Sequence, residues 1–126
     1  MKEFARSEWQ RAQRTIKTAA ALIESDPESA TSRAYYAAFH ALTAVFALRG
    51  QSFNKHAALR GAFHKDLIKT GQWPVELGKD YDFLMDLREI GDYGGVARVS
   101  KQDARRAAEA AQRIIAACQG KLASFD

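Results

Sequence analysis

Arg88, Asp92 and Tyr93 close the segment Leu87-Arg88-Glu89-Ile90-Gly91-Asp92-Tyr93-Gly94-Gly95. Arg88 and Asp92 stand four apart, so on a helix they share a face and can pair. Tyr93, followed by two glycines, places a phenol in a sterically open turn. A guanidinium, a carboxylate and a phenol together suit gripping a phosphate and stacking on a base. The same trio also suits tying down a helix terminus, and the residues alone leave both roles open. A second constellation is Ser32, Tyr36 and His40, spaced by four and so stacked on one helix face, with Arg33 beside the first. A histidine in an apolar helix loses its hydration and must find a partner, for which Tyr36 is the candidate one turn away. The face is then either a satisfied core histidine with its tyrosines reaching solvent, or the wall of a polar groove. His56 and His64 lie eight apart among Lys55, Arg60 and Lys65, a possible polyanion surface. Metal-binding pairs usually stand three or four apart with carboxylate help, so no metal site is expected. Cys118, the single cysteine, excludes an intramolecular disulfide and a multi-cysteine zinc site. It has no histidine near it in sequence and reads as an inert core thiol. No Gly-rich phosphate loop or hydrolase elbow is present, and no cofactor is expected.

Five helices must position these groups. An apolar stripe from Phe4 to Ile23 predicts a first helix over about residues 2–24. Asp26-Pro27-Glu28 then signals a restart: a capping carboxylate, a proline for the first helical position and an acid at the positive end of the dipole. The second helix runs to residue 48 or 49 and stops at Gly50. Its stretch AYYAAFHALTAVFAL is apolar nearly all round, which makes it the central element. Asn54 is expected to cap a third helix over about residues 55–69, ended by Gly71. Pro74 opens a fourth, which the run of residues 91–95 breaks at about Gly91. Ser100 with Asp103 three residues on resembles a capping box for the fifth. The alanine-rich stripes of the first and fifth helices permit close antiparallel packing. The fold class is therefore all-α, an antiparallel four- to five-helix up-and-down bundle.

The 126 residues, 47% hydrophobic and 27% charged, suit one soluble globular domain over residues 1–126. No window approaches the ~18 apolar residues of a membrane span, and the charged start carries no apolar leader, so a cytoplasmic location is expected. The net charge of +4 is unevenly spread. Residues 49–69 hold five cations against Asp66, whereas residues 76–92 hold six acids against Lys79 and Arg88. Opposite segments of this kind make complementary surfaces for self-association, a basic face for phosphates, or two solvated faces of opposite sign.

The segment SRAYYAAFHALTAVFALRG at 32–50, His56, and FHKDLIKTGQWPVELGKDYDFLMDLREIGDYG at 63–94 together resemble small stand-alone HEPN-domain proteins. The resemblance rests on a Tyr-Tyr-x-x-Phe-His helix, a Thr-Gly-x-x-Pro turn and an Arg-x-x-x-Asp-Tyr helix end, in that order. It implies a compact helical bundle, a homodimer, and a minimal nucleotidyltransferase partner in a toxin–antitoxin or related two-part module. Several HEPN branches are metal-independent ribonucleases, with an arginine followed after four to six residues by a histidine. Arg88 matches that arginine, but residues 93–95 are Tyr93, Gly94 and Gly95, and the histidine is missing. The same spacing recurs as Arg33 with His40 and Arg49 with His56, outside the family's catalytic segment. The expected function is thus a nucleotide- or RNA-binding module acting with the nucleotidyltransferase. Its groove would be lined by Tyr36, His40, His56, Arg88, Asp92 and Tyr93. Arg88 would bind a phosphate, Asp92 would orient it, and Tyr93 would stack or accept a nucleotidyl group. The alternatives are an active endoribonuclease toxin using Arg88 with His40 or His56, and a helical interaction protein with no nucleotide site.

Overall fold

The computed structural model describes residues 1–93 and 98–125, and of Tyr93 the backbone alone. Five α-helices account for nearly all of them: α1 (Lys2–Leu22), α2 (Pro27–Leu48), α3 (His56–Phe63), α4 (Val75–Tyr93) and α5 (Lys101–Leu122). They form the antiparallel bundle expected. α2 runs through the middle, packed by α1, α5 and α4, with α3 touching it more lightly. Its small residues explain how one helix accepts so many neighbours. Ala34, Ala37, Ala38, Ala41, Ala44 and Ala47 are each fully buried, and between them Tyr35, Leu42 and Phe46 fill the gaps. Trp9 of α1, Tyr81 of α4 and Phe63 of α3 complete the aromatic core, where sealing each such side chain contributes about 1.5–3 kcal/mol. α1 packs chiefly on α2, and α5 on α2 and α4.

The helix starts follow local chemistry. The Asp26 carboxylate accepts from the Ser29 amide at 3.2 Å and from its hydroxyl at 2.6 Å. Ser100 and Asp103 form the reciprocal capping box. Gly50 takes the left-handed conformation (φ 77°) that closes α2. Three expectations about the helices need correction. Asn54 does not cap the third helix: Lys55 stands at the cap position, with no side-chain hydrogen bond there. Nor is that helix regular to residue 69, because α3 passes at His64–Ile68 into one turn of π-helix, closed by Lys69 N donating to the His64 carbonyl at 2.8 Å. Gly71 (φ 78°) then turns the chain.

The third correction matters most for the site. Gly91 does not end α4, which continues to Tyr93. A Cβ on Gly91 would stand 2.9 Å from the Glu28 carbonyl oxygen and 3.1 Å from Thr31 Oγ1. Gly91 is therefore the point where α4 presses against the first turn of α2, and its lack of a side chain permits the crossing. Gly94 and Gly95 lie outside the described residues.

Candidate functional site

That close crossing brings the end of α4 onto the start of α2. Asp92, the next residue after Gly91, accepts a short hydrogen bond from the Ser32 hydroxyl, and its other carboxylate oxygen pairs with Arg88 Nε at 3.2 Å. Held this way, the Arg88 guanidinium lies over two rings of α2, 5.1 Å from the centre of Tyr35 and 5.7 Å from that of Tyr36. Cation–π attraction and the mostly buried stem fix its orientation. Arg33 also lies over the Tyr36 ring, at 5.1 Å.

His56, the first residue of α3, closes the cluster. Its ring stacks on Phe39 with centroids 4.5 Å apart and on Tyr35 at 5.7 Å, and meets the edge of Tyr36 at 5.9 Å. Nδ1 lies 2.7 Å from the Tyr35 hydroxyl, which in turn sits 3.4 Å from that of Tyr81. Burial, followed by the charges of Arg88 and His40, holds the His56 pKa below its usual value, so the imidazole is neutral at pH 7. Burial pushes the Tyr35 and Tyr81 phenols up, Tyr81 strongly. An open groove of about 540 Å³ runs between α3 and α4, with His56, Arg60, His64, Met85, Arg88 and Glu89 among its walls. The groove offers a fixed guanidinium and a neutral imidazole to one ligand, a pair suited to a phosphate, while the Tyr35, Tyr36 and Phe39 rings pack against these two groups and support them.

Tyr36, His56, Arg88 and Asp92 thus meet, with Ser32 beside them. Tyr93 belongs to the last turn of α4, and its side chain lies outside the described residues. His40 sits one turn along α2, 9% exposed, in contact with the Phe39 and Tyr36 rings. Tyr36 is not its partner: His40 Nδ1 lies 2.6 Å from Glu8 Oε2 of α1, both side chains nearly buried. The basic face expected around His56 and His64 is also modified. Asp82 of α4 holds both Arg60, at 2.9 Å, and His64, at 2.9 Å, and Arg60 donates further to Met85 Sδ. A Cβ on Gly78 would touch the His64 ring, so the missing side chain admits the imidazole there. Among the described residues no three His, Cys, Asp or Glu side chains gather as a metal site. Cys118 is buried in α5, and desolvation alone pushes its thiol pKa far up, which leaves it unreactive.

Sequence reasoning did not single out Tyr35, Tyr81 or Glu8. Tyr35 resembles any core aromatic in its run; its role follows from meeting Tyr81, 46 positions on, and His56, 21 on. Glu8 is one of fifteen acids with no local mark.

Comparison with known proteins places these observations. A family model described as HEPN domain matches residues 5–121. A "UPF0332 protein" of Thermotoga maritima is 33% identical over 96 residues, 75% of this chain and 73% of that one. A Methanocaldococcus jannaschii protein named "Putative toxin MJ0142" is 26% identical over 96 residues, 75% of this chain and 65% of that one. The crystal structure of TT1696 from Thermus thermophilus superimposes with a TM-score of 0.81, at 23% identity, over 97% of this chain and all of that one. This last likeness establishes the shared helical fold. No helix among the described residues is long and apolar enough to cross a membrane.

Proposed function

This chain belongs to the HEPN domain family, and on that premise we propose that its α3–α4 groove binds the phosphates of a nucleotide or single-stranded RNA. The protein works, in this reading, as a homodimer with a minimal nucleotidyltransferase in a toxin–antitoxin-like pair. The observation that carries the site is Arg88, pinned by Asp92 and laid over Tyr35 and Tyr36 on the wall of an open groove that also holds His56. An arginine so oriented presents its donors as a fork matched to phosphate. The family resemblance and the toxin name of the M. jannaschii relative support the two-part context.

Fluorescence anisotropy with a short labelled single-stranded RNA tests the site. Wild type binds. Arg88→Ala lowers affinity at least about tenfold, the loss of one charge-assisted hydrogen bond. It also flattens the slope of log K against log salt by about 0.7. If wild type does not bind, or Arg88→Ala binds as well, the groove reading falls. Light scattering at twice the chain mass, and co-purification with a nucleotidyltransferase encoded beside it, support the rest; a monomer that retains no such enzyme removes it.

One observation favours a second reading. Arg88 and His56, distant in sequence, wall the same groove, and His56 is neutral. A ribonuclease toxin built on this pair predicts growth arrest on expression, relieved by Arg88→Ala and by His56→Ala. Absence of arrest, and of RNA cleavage by the purified protein, excludes it.

A further inference from the structure

We infer that Tyr81 and Tyr35 order the proton of His56, holding its neutral ring as the Nε2–H tautomer and making it a hydrogen-bond donor to the groove. The inference deepens the phosphate-binding reading and rests on it for the identity of the acceptor. Tyr81 is fully buried, so its hydroxyl has no water to serve. Its partner among the described residues is the Tyr35 oxygen, 3.4 Å away. A buried hydroxyl must place its proton, and Tyr81 places it there. The Arg88 guanidinium, paired with Asp92 and lying over the Tyr35 ring at 5.1 Å, adds positive charge beside that same phenol. The Tyr81 donor and the Arg88 charge therefore both favour an accepting Tyr35 oxygen, and the Tyr35 proton goes to its remaining neighbour, His56 Nδ1 at 2.7 Å. A neutral imidazole that accepts at Nδ1 carries its hydrogen on Nε2. Because Nδ1 is spent on the core, Nε2–H is the polar atom His56 has for the groove it lines.

The chemical class of the ligand follows. Nε2–H recognises an acceptor, a phosphoryl oxygen beside the Arg88 fork, and cannot take the proton of a ribose hydroxyl. The reverse tautomer would turn Nδ1–H toward an oxygen that already accepts from Tyr81 beside the Arg88 charge, and leave the Tyr35 proton without an acceptor. His56 is thus a binding group, with Tyr35 and Tyr81 as its positioning residues.

Long-range ¹H–¹⁵N correlation spectra of the ¹⁵N-labelled protein above pH 7 read the tautomer directly. The chain has three histidines, and loss of one pattern in His56→Gln assigns the relevant ring. The expected pattern is a bare, acceptor-type Nδ1 and a protonated Nε2. Tyr35→Phe should move the two nitrogen shifts toward each other and weaken RNA binding about two- to tenfold, the worth of one hydrogen bond. A bare Nε2 with protonated Nδ1, or averaged shifts in the wild type, overturns the inference and favours the ribonuclease reading. The wild-type spectrum decides this even where Tyr35→Phe fails to fold. The expected tautomer in a protein that binds no RNA leaves the proton order standing and removes the phosphate reading instead.

Discussion

Replacing Gly91 by alanine isolates the contact on which the site depends. In an exposed helix interior, glycine to alanine stabilises by about 1 kcal/mol. At Gly91 the added methyl meets the Glu28 carbonyl oxygen at 2.9 Å and Thr31 Oγ1 at 3.1 Å. The first of these atoms is α2 backbone and cannot rotate away. The second is itself held, donating to the same carbonyl at 2.8 Å. Overpacking costs about 1–3 kcal/mol, and a backbone obstacle places this case in the upper half. Against the propensity gain, Gly91→Ala should destabilise by about 1–2 kcal/mol. Gly61 and Gly120, helical glycines whose added Cβ would meet nothing within 4 Å, provide controls in which the gain acts alone. Urea unfolding followed by circular dichroism measures all three, the midpoint falling for Gly91→Ala and holding or rising for the controls at unchanged slope. The same displacement should draw Asp92 from Ser32 and weaken RNA binding with Arg88 itself unaltered. A Gly91→Ala protein as stable as Gly61→Ala would refute the reasoning, since the helices would not be pressed together there.

Glu8 and His40 join α1 to α2 with side chains only 14% and 11% exposed. A double-mutant cycle with Glu8→Ala and His40→Ala should give a coupling of about 0.5–3 kcal/mol in thermal or urea unfolding, and a null coupling would show the contact to be incidental. Cys118 should resist a disulfide thiol reagent in the native protein and react fully in denaturant, because its burial disfavours the thiolate; rapid native labelling would contradict that packing. The raised pKa values of Tyr35 and Tyr81 set an alkaline limit. Their folded-state values lie above the unfolded value of about 10, so the stability they carry is complete below that pH and is lost as pH rises through the folded values. Urea midpoints against pH should fall beyond about 10, less steeply in Tyr81→Phe.

Helix existence was legible because its causes are local: Asp26 with Pro27, Ser100 with Asp103, Gly50 after an apolar run. The centrality of α2 followed from its lack of a polar face. Gly91 was misread because the same residue type serves two ends. Followed by Asp-Tyr-Gly-Gly it reads as a terminator, and only the neighbouring helix shows that it is a point of close approach. The π-turn at His64 has a similar origin, for its register serves Asp82, eighteen residues away. Arg88 with Asp92 was visible as an i,i+4 pair, whereas the Ser32 anchor, sixty positions distant, required the fold. Tyr35 was hidden by resemblance: in a run of buried aromatics nothing local separates a ring that packs from one whose hydroxyl sets a proton.

The two oppositely charged segments also take on meaning once folded. Arg60 and His64 from the basic stretch and Asp82 from the acidic one close on each other within the chain, and Arg88, a rare cation in the acidic stretch, is held by its own helix. Opposite charge here brings α3 against α4 and opens the groove at their seam. With each arginine in that seam bound to an aspartate, and Glu89 on the wall, the groove carries little net field. A ligand is then selected by direction more than by charge alone: by the edge of a guanidinium laid on Tyr35 and by the proton that the buried tyrosines leave on His56. A surface lysine patch would attract any polyanion, but a site built this way demands an oxygen in a particular place.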